Sequence, residues 1–182
     1  KRILGSKNAA AHEVAFSQCA RNFVSVFLET PPTLDATSLE KLEGSQVGRV
    51  PTKGEVESYV ALASLASETF FWYWLTTGDG FHVTKTTVNS FLRKLAALPL
   101  ESRQVLADIG RLLHLSRFRA LQFKKNAGRY VGNYNFRHLP QFTRRADLVL
   151  LSGVGATSEE ARDLLDYVQR VLSINEYAGE KG

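Results

Sequence analysis

The chain has one cysteine, Cys19, and no methionine among its 182 residues. A single cysteine excludes a disulfide framework and an all-cysteine zinc site, and it fits a reducing cytoplasm. No apolar run approaches the roughly 20 residues of a membrane span, and no secretory leader pattern is present. A chain that begins at Lys1 and has no methionine is expected to be a piece of a longer one, or a sequence with its methionines dropped. Catalytic signatures are missing too. There is no GxxxxGK[ST] loop, no GxGxxG after a strand, no GxSxG, no HExxH and no CxxC. The Asn/Asp-Pro-Pro-aromatic tetrapeptide is absent, because Pro31 and Pro32 lie between Thr30 and Thr33. The histidines, His12, His82, His114 and His138, are dispersed. These absences assign no metal site, no resident cofactor and no catalytic residue within 1–182.

What is present supports a folded core. Hydrophobic residues make up 44% of the chain, which suits one domain across 1–182. The charge is segregated. Between Ser116 and Arg145 lie Arg117, Arg119, Lys124, Lys125, Arg129, Arg137, Arg144 and Arg145, with no Asp or Glu. The overall charge is only +5, so the rest of the chain is net acidic. Such segregation points to a surface facing a polyanion.

Periodicity predicts a mainly α chain with a few short strands, an α+β domain whose bundle-like helical core surrounds a small sheet. The alternating run 21–29 reads as a buried strand closed by Pro31 and Pro32. Residues 33–54 read as a long loop. A long helix is expected over 55–75, ending in the apolar FFWYWL. After Gly78 and Gly80, 81–84 reads as a short strand, and Thr84 or Thr86 as the cap of a short helix before Pro99. Further helices are expected over 101–123 and 139–151. A last helix is opened by the Thr157/Glu160 capping box, with Ala161, Leu164, Leu165, Val168, Val171 and Leu172 on its buried face.

The segment KNAGRYVGNYNFR, 125–137, carries the most chemistry. Its glycines allow positive φ and close backbone approach. Lys124, Lys125, Arg129, Arg137, Arg144 and Arg145 can neutralise phosphates. Tyr130 and Tyr134 can stack on an unpaired base, and Asn133 and Asn135 can pair with adenine. A structural Gly-Asn turn competes with this. In TTGDGFHVTK, 76–85, Asp79, Phe81 and His82 are candidates for substrate contact, against a plain Gly-Asp-Gly turn. In FFWYWL, neighbouring rings point in different directions, which suits a core better than a stacking platform. Cys19 shows no base partner in the sequence.

Two blocks, FFWYWLTTGDGFHVTKTTVNSF at 70–91 and KNAGRYVGNYNFRHLPQFTRRADLVLL at 125–151, resemble a late region of adenine-specific DNA methyltransferases. These are the Eco57I-like enzymes of type II restriction–modification systems. The resemblance implies a C-terminal target-recognition or DNA-clamping domain that meets double-stranded DNA. It implies that the parent uses S-adenosylmethionine in a catalytic domain outside this chain. It also implies DNA-facing roles for Gly128, Tyr130, Gly132, Asn133, Tyr134 and Asn135, extending to Asp79, Phe81 and His82. Two other readings stand beside it. One is an assembly module docking on the catalytic domain or another subunit. The other is a small enzyme using Asp79 and His82.

Overall fold

The computed structural model describes residues 12–43 and 47–179, with side chains described as far as residue 170. The strands are β1 (Glu13–Ser17), β2 (Val26–Phe27), β3 (Thr33–Asp35), β4 (Lys41–Leu42), β5 (Val47–Pro51), β6 (Leu121–Asn126) and β7 (Arg129–Tyr134). The helices are α1 (Glu55–Leu65), α2 (Glu68–Thr77), α3 (Lys85–Lys94), α4 (Leu100–Leu115), α5 (Pro140–Gly153) and α6 (Ser158–Gly179). The fold is α+β, but it holds two small antiparallel sheets where the sequence suggested one. Their strand orders are β2-β1-β5 and β4-β3-β7-β6.

The first sheet belongs to the core. Val14, Phe16, Val26 and Phe27 are buried, and the sheet packs on α1 and α3. Leu106, Ile109 and Leu113 of α4 fill the space beneath α1. The α1–α4 contact is close because α4 presents Gly110 to the backbone of α1. A β carbon there would lie 2.0 Å from the Tyr59 carbonyl oxygen. Arg111 sits 5.6 Å from the Tyr59 ring centroid, and the His114 ring lies beside it.

The expected helix over 55–75 is two helices. Its register breaks at Ala66, and Ser67 caps the second by accepting the Phe70 N–H at 3.0 Å. A residue far along the chain fixes this break. Asp147, fully buried on α5, accepts the N–H and the hydroxyl of Thr69 at 2.8 and 2.7 Å. Its carboxylate therefore occupies the positive end of α2. Phe70, Phe71 and Trp74 of the FFWYWL run are buried, as the ring directions implied.

Other expectations fare unevenly. Thr84 caps α3, and Thr157 with Glu160 forms the reciprocal capping box of α6. Ala161 and Val168 are buried, whereas the side chains of Val171 and Leu172 lie outside those described. The strand over 21–29 shrinks to β2. The stretch 33–54 contains β3, β4 and β5 instead of one loop. Only a single bridge, Cys19 to His82, replaces a strand over 81–84. The helix over 101–123 stops at Leu115, where a 3-10 turn (Arg117–Ala120) leads into β6.

Two measurements check this packing. Gly110→Ala should lose about 1–3 kcal/mol in urea unfolding, because backbone overlap with Tyr59 outweighs the helix propensity gained. The second concerns Asp147. Burial pushes its carboxyl up to about 7 from the ordinary 3.8, against the lowering effect of the Thr69 bonds. The folded chain thus keeps a proton that the unfolded chain releases. The associated stability is full below about pH 4 and lost as pH rises through about 7. Thermal melts of Asp147→Asn should decline less than those of the native chain over that window.

Candidate nucleic-acid interface

The segment 125–137 is not a loop between helices. It is the turn and second strand of a hairpin. Asn126 pairs with Arg129, and the two residues between them, Ala127 and Gly128, have φ of 44° and 77°. Positive φ at both central positions is the twist that two-residue hairpins require. Gly128 meets the requirement without cost, whereas Ala127 does so against the preference of its β carbon. The Gly128 carbonyl accepts the Ala36 N–H, which ties the turn to the end of β3.

The hairpin stands away from the helices. Every residue of β6 beyond Leu121 is exposed, and the second sheet meets the rest of the chain chiefly through the 3-10 turn before β6. Lys124, Lys125 and Arg129 are exposed on it. Register places Arg129 opposite Asp35, whose carboxyl is lowered mainly by the Ser38 and Thr37 N–H groups and only weakly by Arg129. Tyr130 and Asn133 are half-buried. The Asn133 side chain donates to the Val131 carbonyl.

Three of the candidate residues belong to the fold instead. Tyr134 is 1% exposed, with its ring between those of Phe27 and Phe136, so it offers no face to a ligand. Asn135 is buried and accepts the Arg137 N–H with its side chain, capping the 3-10 turn Phe136–His138. Gly132 lies where a β carbon would meet the Pro32 carbonyl oxygen at 2.5 Å, so its lack of a side chain seats β3 against β7. The sequence cannot show these roles, because facing along this hairpin depends on the distant segments that pack at its foot.

The basic window divides in the same way. Arg117 donates to Glu29 and to the His114 carbonyl, and its guanidinium lies 4.4 Å from the Phe118 ring centroid. Arg137 is half-buried between Glu68 and the Asn22 carbonyl. Both are held by the protein itself. Arg119, Lys124, Lys125, Arg129, Arg144 and Arg145 are exposed, the last two on the first turns of α5 below the hairpin's foot.

The Gly-Asp-Gly turn is built locally. Asp79 accepts the N–H groups of Phe81 and His82, and the His82 ring donates through Nδ1 at 2.6 Å. The ring, followed by those N–H groups, holds the Asp79 carboxyl down at about 2. The His82 carbonyl accepts the buried Trp74 indole N–H, which anchors the turn to the core. Sequence reading missed one neighbour here. The bridge puts Cys19 directly across from His82, although the two are far apart in sequence. Asp79, Phe81 and His82 lie on a separate segment, with no contact to the hairpin among the described interactions.

Among the described residues no His, Cys, Asp or Glu cluster could hold a metal ion, and no helix is long and apolar enough to cross a membrane. Both sheets are antiparallel, so the described residues do not form the open parallel sheet at whose carboxyl ends doubly wound folds hold a nucleotide cofactor. No family model, curated protein or solved structure matches the chain.

The turn geometry leads to one expectation. Ala127→Asn places a residue that tolerates left-handed φ at the first central position and should stabilise the chain by about 0.5 kcal/mol. Urea unfolding would show the midpoint rise at an unchanged slope.

Proposed function

We propose that the chain is the DNA-contacting, target-recognition domain of an adenine-specific DNA methyltransferase of a restriction–modification system. The observation that carries this is the projecting hairpin, with Lys124, Lys125 and Arg129 free of the helical body. A two-stranded ribbon of this kind can enter a major groove, and its cations can neutralise phosphates on either side. Exposed Arg144 and Arg145 extend the positive surface along α5. The family resemblance at 70–91 and 125–151 supports the same reading, as does the absence of acidic residues from 116–145. In this reading, methylation and S-adenosylmethionine belong to a separate catalytic domain of the same protein, and the cytoplasm is where the protein acts.

The contact roles narrow to the exposed side chains. Lys124, Lys125, Arg129, Arg144 and Arg145 meet the phosphates. Tyr130 and Asn133 remain within reach of a ligand, whereas Tyr134, Asn135 and Gly132 shape the platform. Asp79, Phe81 and His82 are not assigned to the DNA surface.

A second reading, docking on the catalytic domain, has its own observation. Leu112, Leu115 and Phe118 are exposed in sequence on the end of α4 and the turn after it, at 43%, 67% and 61%. Exposed apolar side chains of this kind suit a protein partner. The two surfaces are different, and one domain can use both.

Titration of a fluorescent mixed-sequence duplex at several salt concentrations tests the first reading. Binding should weaken steeply with salt, and removing Lys124 and Lys125 together should reduce the log–log slope by about 2. If no duplex is bound at low salt, or if the double variant binds unchanged, the DNA reading is wrong. Association with the catalytic domain that persists at high salt and is lost on Leu115→Asp would then favour docking.

A further inference from the structure

Strand register assigns every side chain of the second sheet to one of two faces. Lys41 pairs with Leu34, Leu34 with Tyr130, and Tyr130 with Lys125, so these four form one row across all four strands. Paired residues point to the same side of a sheet. Phe123 lies two residues from Lys125 on β6, and so shares this face. It is 45% exposed. Its partner on β7 is Gly132, so no β7 side chain stands opposite the ring, and the Leu121 and Pro31 side chains border the face there. Tyr130 is its diagonal neighbour, about 7–8 Å away by strand geometry. Asp35 pairs with Arg129 and lies on the opposite face, as do Lys124, Val131 and the buried Thr33.

This face thus offers the Phe123 and Tyr130 rings with exposed Lys125 next to both and exposed Lys41 across the sheet, and the acid of the β3 strand is turned away from it. Duplex DNA presents base edges and phosphates to a protein surface. There a ring can touch a thymine methyl or wedge between base pairs, but its flat face is covered fully only by a base that has left the stack. An unpaired base presents its own π-face, and its phosphates lie within reach of flanking cations. We infer that the face carrying Phe123, Tyr130, Lys125 and Lys41 is a stacking site for unpaired DNA bases. The base could come from a single strand or from a nucleotide extruded from a duplex, and the chemistry of recognition is the same. The inference rests on the nucleic-acid reading above and names the form of DNA that this face takes.

The test uses the 182-residue chain with an oligonucleotide that contains 2-aminopurine, as a single strand and in the matched duplex. Native protein should bind the single strand and quench its fluorescence. Phe123→Ala should weaken that binding by about tenfold, corresponding to the loss of one base–aromatic stack, and should abolish the quenching. Duplex affinity should change less than twofold, and Phe123→Trp should retain both signals. Phe123 is on an open face, and matching circular dichroism spectra would confirm that the variants fold. Equal losses on single strand and duplex would overturn the inference in favour of a wedge between paired bases. Unchanged single-strand affinity in Phe123→Ala would overturn it outright. If the chain binds the duplex but not the single strand, this inference fails and the DNA reading stands. If it binds neither at low salt, both fail. A duplex carrying one unpaired 2-aminopurine separates the two sources: quenching there identifies the extruded base, and quenching only on the free strand identifies single-stranded DNA.

Discussion

The arrangement of the helices depends on one buried carboxyl group. Asp147 has no access to water, and both its oxygens accept from the start of α2, one from the N–H and hydroxyl of Thr69 and the other from the N–H of Glu68. An unsatisfied polar group at that depth costs about 1–3 kcal/mol, so α5 and α2 hold each other in a single relative position. The same bonds mark the place where the apolar run 55–75 stops being one helix. Once α2 is set, its buried Trp74 reaches the His82 carbonyl and fixes the Gly-Asp-Gly turn. On the other side, α5 begins directly after the 3-10 turn at the hairpin's foot.

This arrangement separates two kinds of surface. The helices and the first sheet form a closed apolar body whose cations near the junction are matched by Glu29 and Glu68. Glu68 is itself partly desolvated, and burial raises its carboxyl despite nearby Arg137 and Arg144. The second sheet has little covering it and keeps its cations exposed. Charge is therefore neutralised where the chain packs and left available where it projects.

Local chemistry made some of this legible in the sequence. Thr84 and the Thr157/Glu160 pair cap helices because their hydrogen bonds lie within one turn, and the FFWYWL rings had to disperse around a helix axis. The two-helix break was hidden, because its cause lies on α5. Strands β3 and β4 are too short to show alternation. Strand β6 reads Leu-Gln-Phe-Lys-Lys-Asn, and its apolar start continues the helical spacing of α4. The aromatic and basic content of 125–137 was visible from composition. Which tyrosine faces inward was not, because that depends on Phe27 and on the Pro31–Pro32 segment far upstream. Cys19 and His82 likewise become neighbours only through the tertiary fold.

Strand β7 is bonded on one side to β6, its immediate neighbour in the chain, and on the other to β3, which precedes nearly the whole helical body. The first pairing closes a two-residue turn. The second closes a loop that contains α1 to α4, and its entropy is recovered only after those helices have docked. The four-stranded sheet is therefore an indicator of the state of the body: the β3–β7 pairing that joins its two local halves depends on the assembled helices between them. A chain that has lost the α2–α5 bond would keep a local hairpin but no longer the four-stranded sheet, so the sheet would come apart at the β3–β7 seam before the hairpin itself unravels.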